Sequence, residues 1–157
     1  MILLRRPPMR LLNALCLLAV LLPLSACQFL TGNAREDEMA RGFSPDELVG
    51  PQWVVEDIAD QGMIDASRVT LNFDASGRVY GNASCNGYSG QYKQAGDAWT
   101  FSQLITTKKM CPKALMEQEQ RFTAVLSQVD EIRRDASGAL ILLGPQGHRI
   151  VARAQTP

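Results

Sequence analysis

The sequence predicts a mainly β domain of α+β type: several antiparallel strands, with one amphipathic helix inserted before the last three. Three observations predict it. Short segments alternate apolar and polar residues, most clearly Val69, Leu71 and Phe73 against Thr70, Asn72 and Asp74, which is the period of a strand with one buried face. Turn signals separate these segments at short spacing: DASG at 74–77, QAGD at 94–97, DASG again at 135–138 and GPQG at 144–147. Such punctuation argues hairpins and antiparallel pairing. One glycine-free stretch, Pro112 to Gln128, is rich in helix formers instead.

The N-terminus is of another kind. Arg5, Arg6 and Arg10 precede an apolar run from Leu11 to Leu22, broken by Asn13 and followed by small Ser25 and Ala26. This is the layout of a secretory signal peptide, and the run is shorter than the 18 to 20 or so apolar residues that span a bilayer. Leu24-Ser25-Ala26-Cys27 resembles the bacterial lipobox. That resemblance implies cleavage before Cys27, acylation of Cys27 and a membrane partner reached through the lipid anchor. Gln28, rather than Asp, follows the cysteine, which by the same resemblance implies the outer membrane. Residues 1–26 are thus the expected lipoprotein signal peptide, with the domain beyond expected to face the periplasm.

Cleavage removes three arginines, leaving 13 basic against 16 acidic residues, a net charge of −3. The excess lies between Gln28 and Leu48; Val49 to Pro157 balances at 11 against 11. A neutral domain lacks the electrostatic footprint of a nucleic-acid binder, and its balance gives no overall attraction to anionic lipid. Residues 27–48, polar, acidic and without periodicity, read as a lipidated flexible tether. Residues 49–157 are enough for one small domain with one core.

Within that domain Trp53-Val54-Val55 begins a strand. DASG at 74–77 turns the Val69–Phe73 strand into Arg78-Val79-Tyr80. Tyr88, Gly90 and Tyr92 alternate next, and QAGD leads into Trp99-Thr100-Phe101. Ile132, the second DASG, Leu140 and Leu142, and Arg149-Ile150-Val151 mark the last three strands. The repeated DASG reads as a reused turn, since its flanks do not match. In the helix, Pro112 suits the first position, where a missing N–H costs nothing. Leu115, Phe122, Leu126 and Val129 form one stripe, and Glu117 and Arg121 stand four apart as a helical ion pair prefers. One helix cannot hide its stripe alone, so it must cover a sheet face or plug the mouth of an open barrel.

The chemistry available is limited. His148 is the one histidine, and Cys85 and Cys111, the two cysteines beyond Cys27, lie 26 apart with no metal-ligand spacing. No metal and no cofactor are expected. A Cys–His pair would need Cys85 or Cys111 to meet His148 in space; no nucleophile elbow, Walker loop or dinucleotide fingerprint occurs. In an oxidising compartment the two cysteines either form a disulfide, pinning the helix start to the Gly-rich turn at 81–90, or pack as two buried thiols. Glu119 falls inside the apolar stripe, where an unpaired carboxylate is costly. It is expected to face the interior and to accept hydrogen bonds from Thr106 to Lys108.

GNASCNGYSGQY at 81–92, TTKKMCP at 106–112 and LMEQEQRF at 115–122 resemble, in that order, the motifs of the META domain, the HslJ-like family of small envelope and stress-linked proteins. Cys85, Asn86, Tyr88, Ser89, Gly90, Thr107, Cys111, Pro112, Glu119 and Phe122 match, and Trp53 matches the Trp that opens the first strand. The likeness spans Pro51 to Arg153; Gly87 and Lys109-Met110 depart from it. It implies a small antiparallel β-barrel or strongly curved sheet with one helix packed against it, motif residues with structural roles, and no enzymatic activity. The expected function is that of a non-enzymatic outer-membrane lipoprotein. It would act in envelope stress or drug tolerance by binding a protein partner or an apolar ligand. A pilot for an envelope secretion machine, and a small periplasmic enzyme or enzyme inhibitor, are the alternatives.

Overall fold

The computed structural model describes residues 42–155. Eight strands form one antiparallel sheet: β1 (Gln52–Ile58), β2 (Thr70–Phe73), β3 (Arg78–Asn82), β4 (Gly87–Ala95), β5 (Ala98–Thr106), β6 (Glu131–Arg134), β7 (Leu140–Leu143) and β8 (Arg149–Gln155). Their order is β5-β4-β3-β2-β1-β8-β7-β6, so the first and last strands pair in the middle. Gln52 lies opposite Gln155 and Ile58 opposite Ile150. The sheet curls into a half-barrel around its apolar face, which carries Leu71, Val79, Phe101, Leu140, Leu142 and Ile150, all buried. Its end strands approach where the Trp99 N–H donates to the Asp130 carbonyl, 2.9 Å away. The expected antiparallel strands and curved sheet are all present.

Among the described residues two α-helices accompany the sheet, the four-residue α1 (Pro45–Leu48) and α2 (Lys113–Leu126). α2 falls between β5 and β6, as the sequence predicts, and buries Phe122, Val125 and Leu126 against the core. Its ion pair differs from the expected one. Glu117 faces Lys113 at 3.3 Å, while Arg121 donates to Gln61 at 2.9 Å, because that side of the helix meets the β1–β2 loop. The Lys113–Glu117 pair is exposed and adds little stability.

The domain starts earlier than residue 49. Phe43 and Leu48, placed in the tether from sequence, are 2% and 0% exposed. Phe43 and Trp53 meet at right angles with ring centroids 5.6 Å apart, and the Arg134 guanidinium lies over the Phe43 ring, 4.2 Å from its centroid. The Trp53 indole N–H donates to the Leu48 carbonyl at 3.1 Å. Four helical residues are too few to show a period, which is why this segment reads as tether. Residues 27–41 of the expected tether, with Cys27, and the expected signal peptide lie outside the described residues.

Two local devices shape the sheet. Both DASG turns have one geometry. Asp74 Oδ1 accepts from Ser76 N, Ser76 Oγ and Arg78 N at 2.9, 2.6 and 3.1 Å. Asp135 Oδ1 accepts from Ser137 N, Ser137 Oγ and Ala139 N at 2.8, 2.6 and 2.8 Å. Gly77 and Gly138 close them at φ +83° and +82°, where glycine is unstrained. The second device is a bulge in β5. Ser89 and Gln91, two residues apart, pair with Ile105 and Ser102, three apart. Gly90 faces the bulge, and a Cβ there would meet Leu104 Cδ2 at 2.6 Å and the Ser102 carbonyl oxygen at 2.9 Å.

The Ser76 hydroxyl holds the Asp74 carboxyl below its ordinary range, and Ser137 does the same for Asp135. A carboxyl whose pKa is depressed on folding stabilises the fold above its unfolded pKa of about 4, and that contribution is lost as pH falls through the folded value. Urea midpoints against pH should therefore fall more steeply below about pH 4 for the parent than for the Asp74→Asn/Asp135→Asn variant; parallel curves would remove the turns from the acid response. Phe43→Ala should cost roughly 3 kcal/mol, as for a buried aromatic. A chain starting at Val49 that is as stable as one starting at Gly42 would contradict the earlier boundary.

Candidate functional site

The turn between β3 and β4 and the loop between β5 and α2 meet at one point. Cys85 and Cys111 are bonded there, S–S 2.04 Å, with Cα atoms 5.9 Å apart. Of the two readings left open by the sequence, the disulfide is the one realised. Closing a loop of this length is worth roughly 3–4 kcal/mol in the chain-entropy model. With both sulfurs bridged there is no thiolate to pair with a histidine. His148 itself lies exposed, between the short 3-10 turn Pro145–Gly147 and β8.

Asn86, only 4% exposed, is the hub of this junction. Its amide oxygen accepts from Thr107 Oγ1 at 2.8 Å and from the Lys109 N–H at 2.7 Å. Its amide nitrogen donates to Glu119 Oε1 at 3.2 Å, and its backbone N–H to Glu119 Oε2 at 2.8 Å. Its carbonyl accepts from Ala83 N at 2.7 Å. Both carboxylate oxygens of Glu119 are therefore engaged by one residue. The expected donors at Thr106 to Lys108 are not its partners: Thr107 binds Asn86 instead, which stands between them. Glu119 is also only half-buried. The polar residue that does enter the core is its neighbour Gln118, 0% exposed, which accepts from Ile64 N and donates to Ser67 Oγ, both at 2.8 Å. Gln118 and Glu119 lie on opposite margins of the Leu115–Phe122–Leu126 stripe, so the apolar period alone does not say which of the two is covered.

The turn is tight. Ser84, next to Cys85, has φ +100°, a region that costs an L side chain about 1–3 kcal/mol. Its Oγ is buried without a hydrogen-bond partner among the described residues.

The other predicted residues surround this junction or support it from a distance. Pro112 immediately precedes α2, one position earlier than expected, and its carbonyl accepts from Leu115 N at 3.0 Å. Behind the junction Tyr88 packs edge-on against Phe122, centroids 5.2 Å apart. Its hydroxyl donates to the Thr70 carbonyl at 3.1 Å, and burial pushes its pKa well up. Trp53 and Gly90 do not join this cluster; they hold the N-terminal segment and the β5 bulge. No group of three or more His, Cys, Asp or Glu side chains that could hold a metal occurs among the described residues. What the cluster does chemically is lock α2 and the 107–111 loop to the sheet.

A family model described as META domain matches residues 46–157. Among solved structures, one by NMR of a protein from Burkholderia xenovorans is 21% identical, covering 74% of this chain and 92% of its own, with a TM-score of 0.59. A second NMR structure is 19% identical over 71% of this chain and 94% of its own, TM-score 0.58. A crystal structure of a DUF4847 family protein from Bacteroides vulgatus is 13% identical over 71% and 96%, TM-score 0.50. These likenesses concern the fold. No curated protein matches.

Glu119→Ala strands two donors of Asn86 and should lower stability by roughly 1–3 kcal/mol. Glu119→Gln keeps one acceptor oxygen and should cost less. Denaturant titration of both variants decides: equal losses, or none, would contradict the role of the carboxylate as a double acceptor.

Proposed function

The chain belongs to the META domain family, and from that premise we propose that it is a non-enzymatic lipoprotein of the outer membrane whose domain binds a protein partner or an apolar ligand in envelope stress or drug tolerance. The observation that carries this reading is how the motif residues are spent. Cys85, Cys111, Asn86, Thr107 and Glu119 are bonded to one another at the helix–sheet junction, and their polar atoms serve the fold rather than a substrate. A rigid scaffold that uses its polar motif for bracing leaves its surface for recognition. The lipobox-like Leu24 to Cys27 supports the anchor and the compartment.

Two measurements test the reading. Intact mass of the native protein should show a chain beginning at Cys27 with added acyl mass; a chain cut elsewhere, or an unmodified Cys27, would sink the anchor. Crosslinking in cells, followed by identification of what is captured, should return an envelope component that is lost when the exposed surface is altered. If activity toward a small substrate were found and Glu119→Gln abolished it without loss of stability, the binding reading would fall.

A further inference from the structure

The nearly balanced charge of the domain, 11 basic against 13 acidic residues from Gly42 onward, hides a division in space. Between Ala75 and Lys113 there are five basic residues, Arg78, Lys93, Lys108, Lys109 and Lys113, against one acid, Asp97; of these, Lys113 pairs with Glu117 and Arg78 lies near the Asp74 carboxylate. Elsewhere Arg133, Arg134, Arg149 and Arg153 each face a carboxylate: Glu131, Glu47, Asp60 and Glu56. Lys93, Lys108 and Lys109 are exposed, and no ion pair engages them among the described residues. The large exposed apolar side chains fall in the same region: Met110 at 92%, Ile105 at 67% and Tyr80 at 39%. Tyr80, Ser89 and Ile105 lie in one cross-strand row on the outer face of β3, β4 and β5. The Arg78 guanidinium lies over the Tyr80 ring, 5.1 Å from its centroid. Beside them is a shallow depression of about 320 Å³ whose lining includes Arg78, Ser89, Ile105, Thr106 and Thr107.

The 107–111 loop is held stiffly although it is exposed. Thr107 and the Lys109 N–H are bonded to Asn86, and Cys111 to Cys85. Lys108 and Met110 alternate with these fixed points. An almost fully exposed methionine on a braced loop, flanked by lysines without counter-ions, is suited to a surface that is anionic outside and apolar just beneath.

We propose that the outer face of β3–β5, together with the 107–111 loop, docks on an anionic glycerophospholipid bilayer: Lys108, Lys109 and Arg78 meet phosphate headgroups, and Met110 and Ile105 enter the acyl boundary. A basic residue near such a surface gains affinity of about fivefold, and apolar side chains at the interface add to it. A bilayer is favoured over an acidic protein by reach. Gly42 lines a depression with Gln94 and Asp97 at the β4–β5 hairpin, and the nine residues of β5 carry the chain about 30 Å from there to the loop. The fourteen residues 28–41 can span up to roughly 50 Å, so an anchor at Cys27 leaves the loop within reach of the membrane. The inference uses the proposed anchor for this reach alone, and its test does without it.

The test uses the mature chain from residue 27 carrying Cys27→Ser, which cannot be acylated. It is pelleted with vesicles of phosphatidylcholine, or of phosphatidylcholine mixed with phosphatidylglycerol, at low and high salt. Binding is expected to the anionic vesicles only and to fall with salt. Lys108→Gln with Lys109→Gln should weaken it about 25-fold; the junction uses only the backbone of Lys109, so the fold should survive, as circular dichroism can verify. Met110→Ser should weaken it several-fold, and Arg133→Gln should leave it unchanged. Absence of binding, binding that survives the lysine changes, or binding indifferent to Met110 overturns the proposal. Bare vesicles together with a lysine-dependent crosslink to an acidic protein would assign the surface to that protein and overturn it as well. Failure of the anchor would show separately, in the intact mass.

Discussion

A curled sheet leaves its apolar face to be covered, and the fold depends on holding α2 against it. The helix brings Phe122, Val125 and Leu126 to the core, but burial alone is non-directional and sets neither its axis nor its register. Two polar attachments do that. At one, Asn86 and the disulfide hold Glu119 and the residue preceding Pro112. At the other, Gln118 binds Ile64 and Ser67 in the β1–β2 loop. Adjacent residues of one helix thus reach different parts of the sheet, and rotation about the helix axis would break one bond set or the other. A buried amide with every group satisfied is stiff, because any displacement strands a donor at about 1–3 kcal/mol.

That arrangement accounts for what the sequence reveals and what it hides. Strands such as Val69–Phe73 show their period because one face is wet, and α2 shows its own because it is fourteen residues long. The half-barrel follows from the motif resemblance more than from any strand. Phe43 and Leu48 carry no period, so their place in the core appears only when Trp53 offers an indole N–H and a ring face. Glu119 is legible as a carboxylate in need of donors, but the identity of the donor is a tertiary fact: Asn86 lies 33 residues earlier in the chain. Net charge is similarly blind to placement. From Gly42 onward, with 11 basic and 13 acidic residues, the domain pairs Arg133, Arg134, Arg149 and Arg153 with carboxylates and leaves Lys93, Lys108 and Lys109 without an ion pair among the described residues.

The same junction that seats the helix also decides how the 107–111 loop faces solvent. A loop carrying Lys108 and Met110 on a mobile backbone would lose conformational freedom on every contact it made. Here that freedom is already gone, because Asn86 and Cys85 restrict the loop in the free protein. Bracing and display are two effects of one set of bonds, so a motif that looks wholly structural still shapes the surface.

The central pairing of β1 with β8 constrains the order of events in a growing chain. Synthesis is vectorial, and β8 is made after the other seven strands of the sheet. The meander β2–β5 and the hairpin β6–β7 join neighbours in sequence and can form early, since closing a short loop is fast. β1 pairs with β2 on one side, but its other edge waits for a strand that begins at Arg149. Until then the nascent protein carries an unpaired strand edge in the middle of its future sheet, the kind that templates association with other chains. The seven-residue β8 acts as the closure: a chain truncated before Arg149 would hold both halves of the sheet and no seam between them.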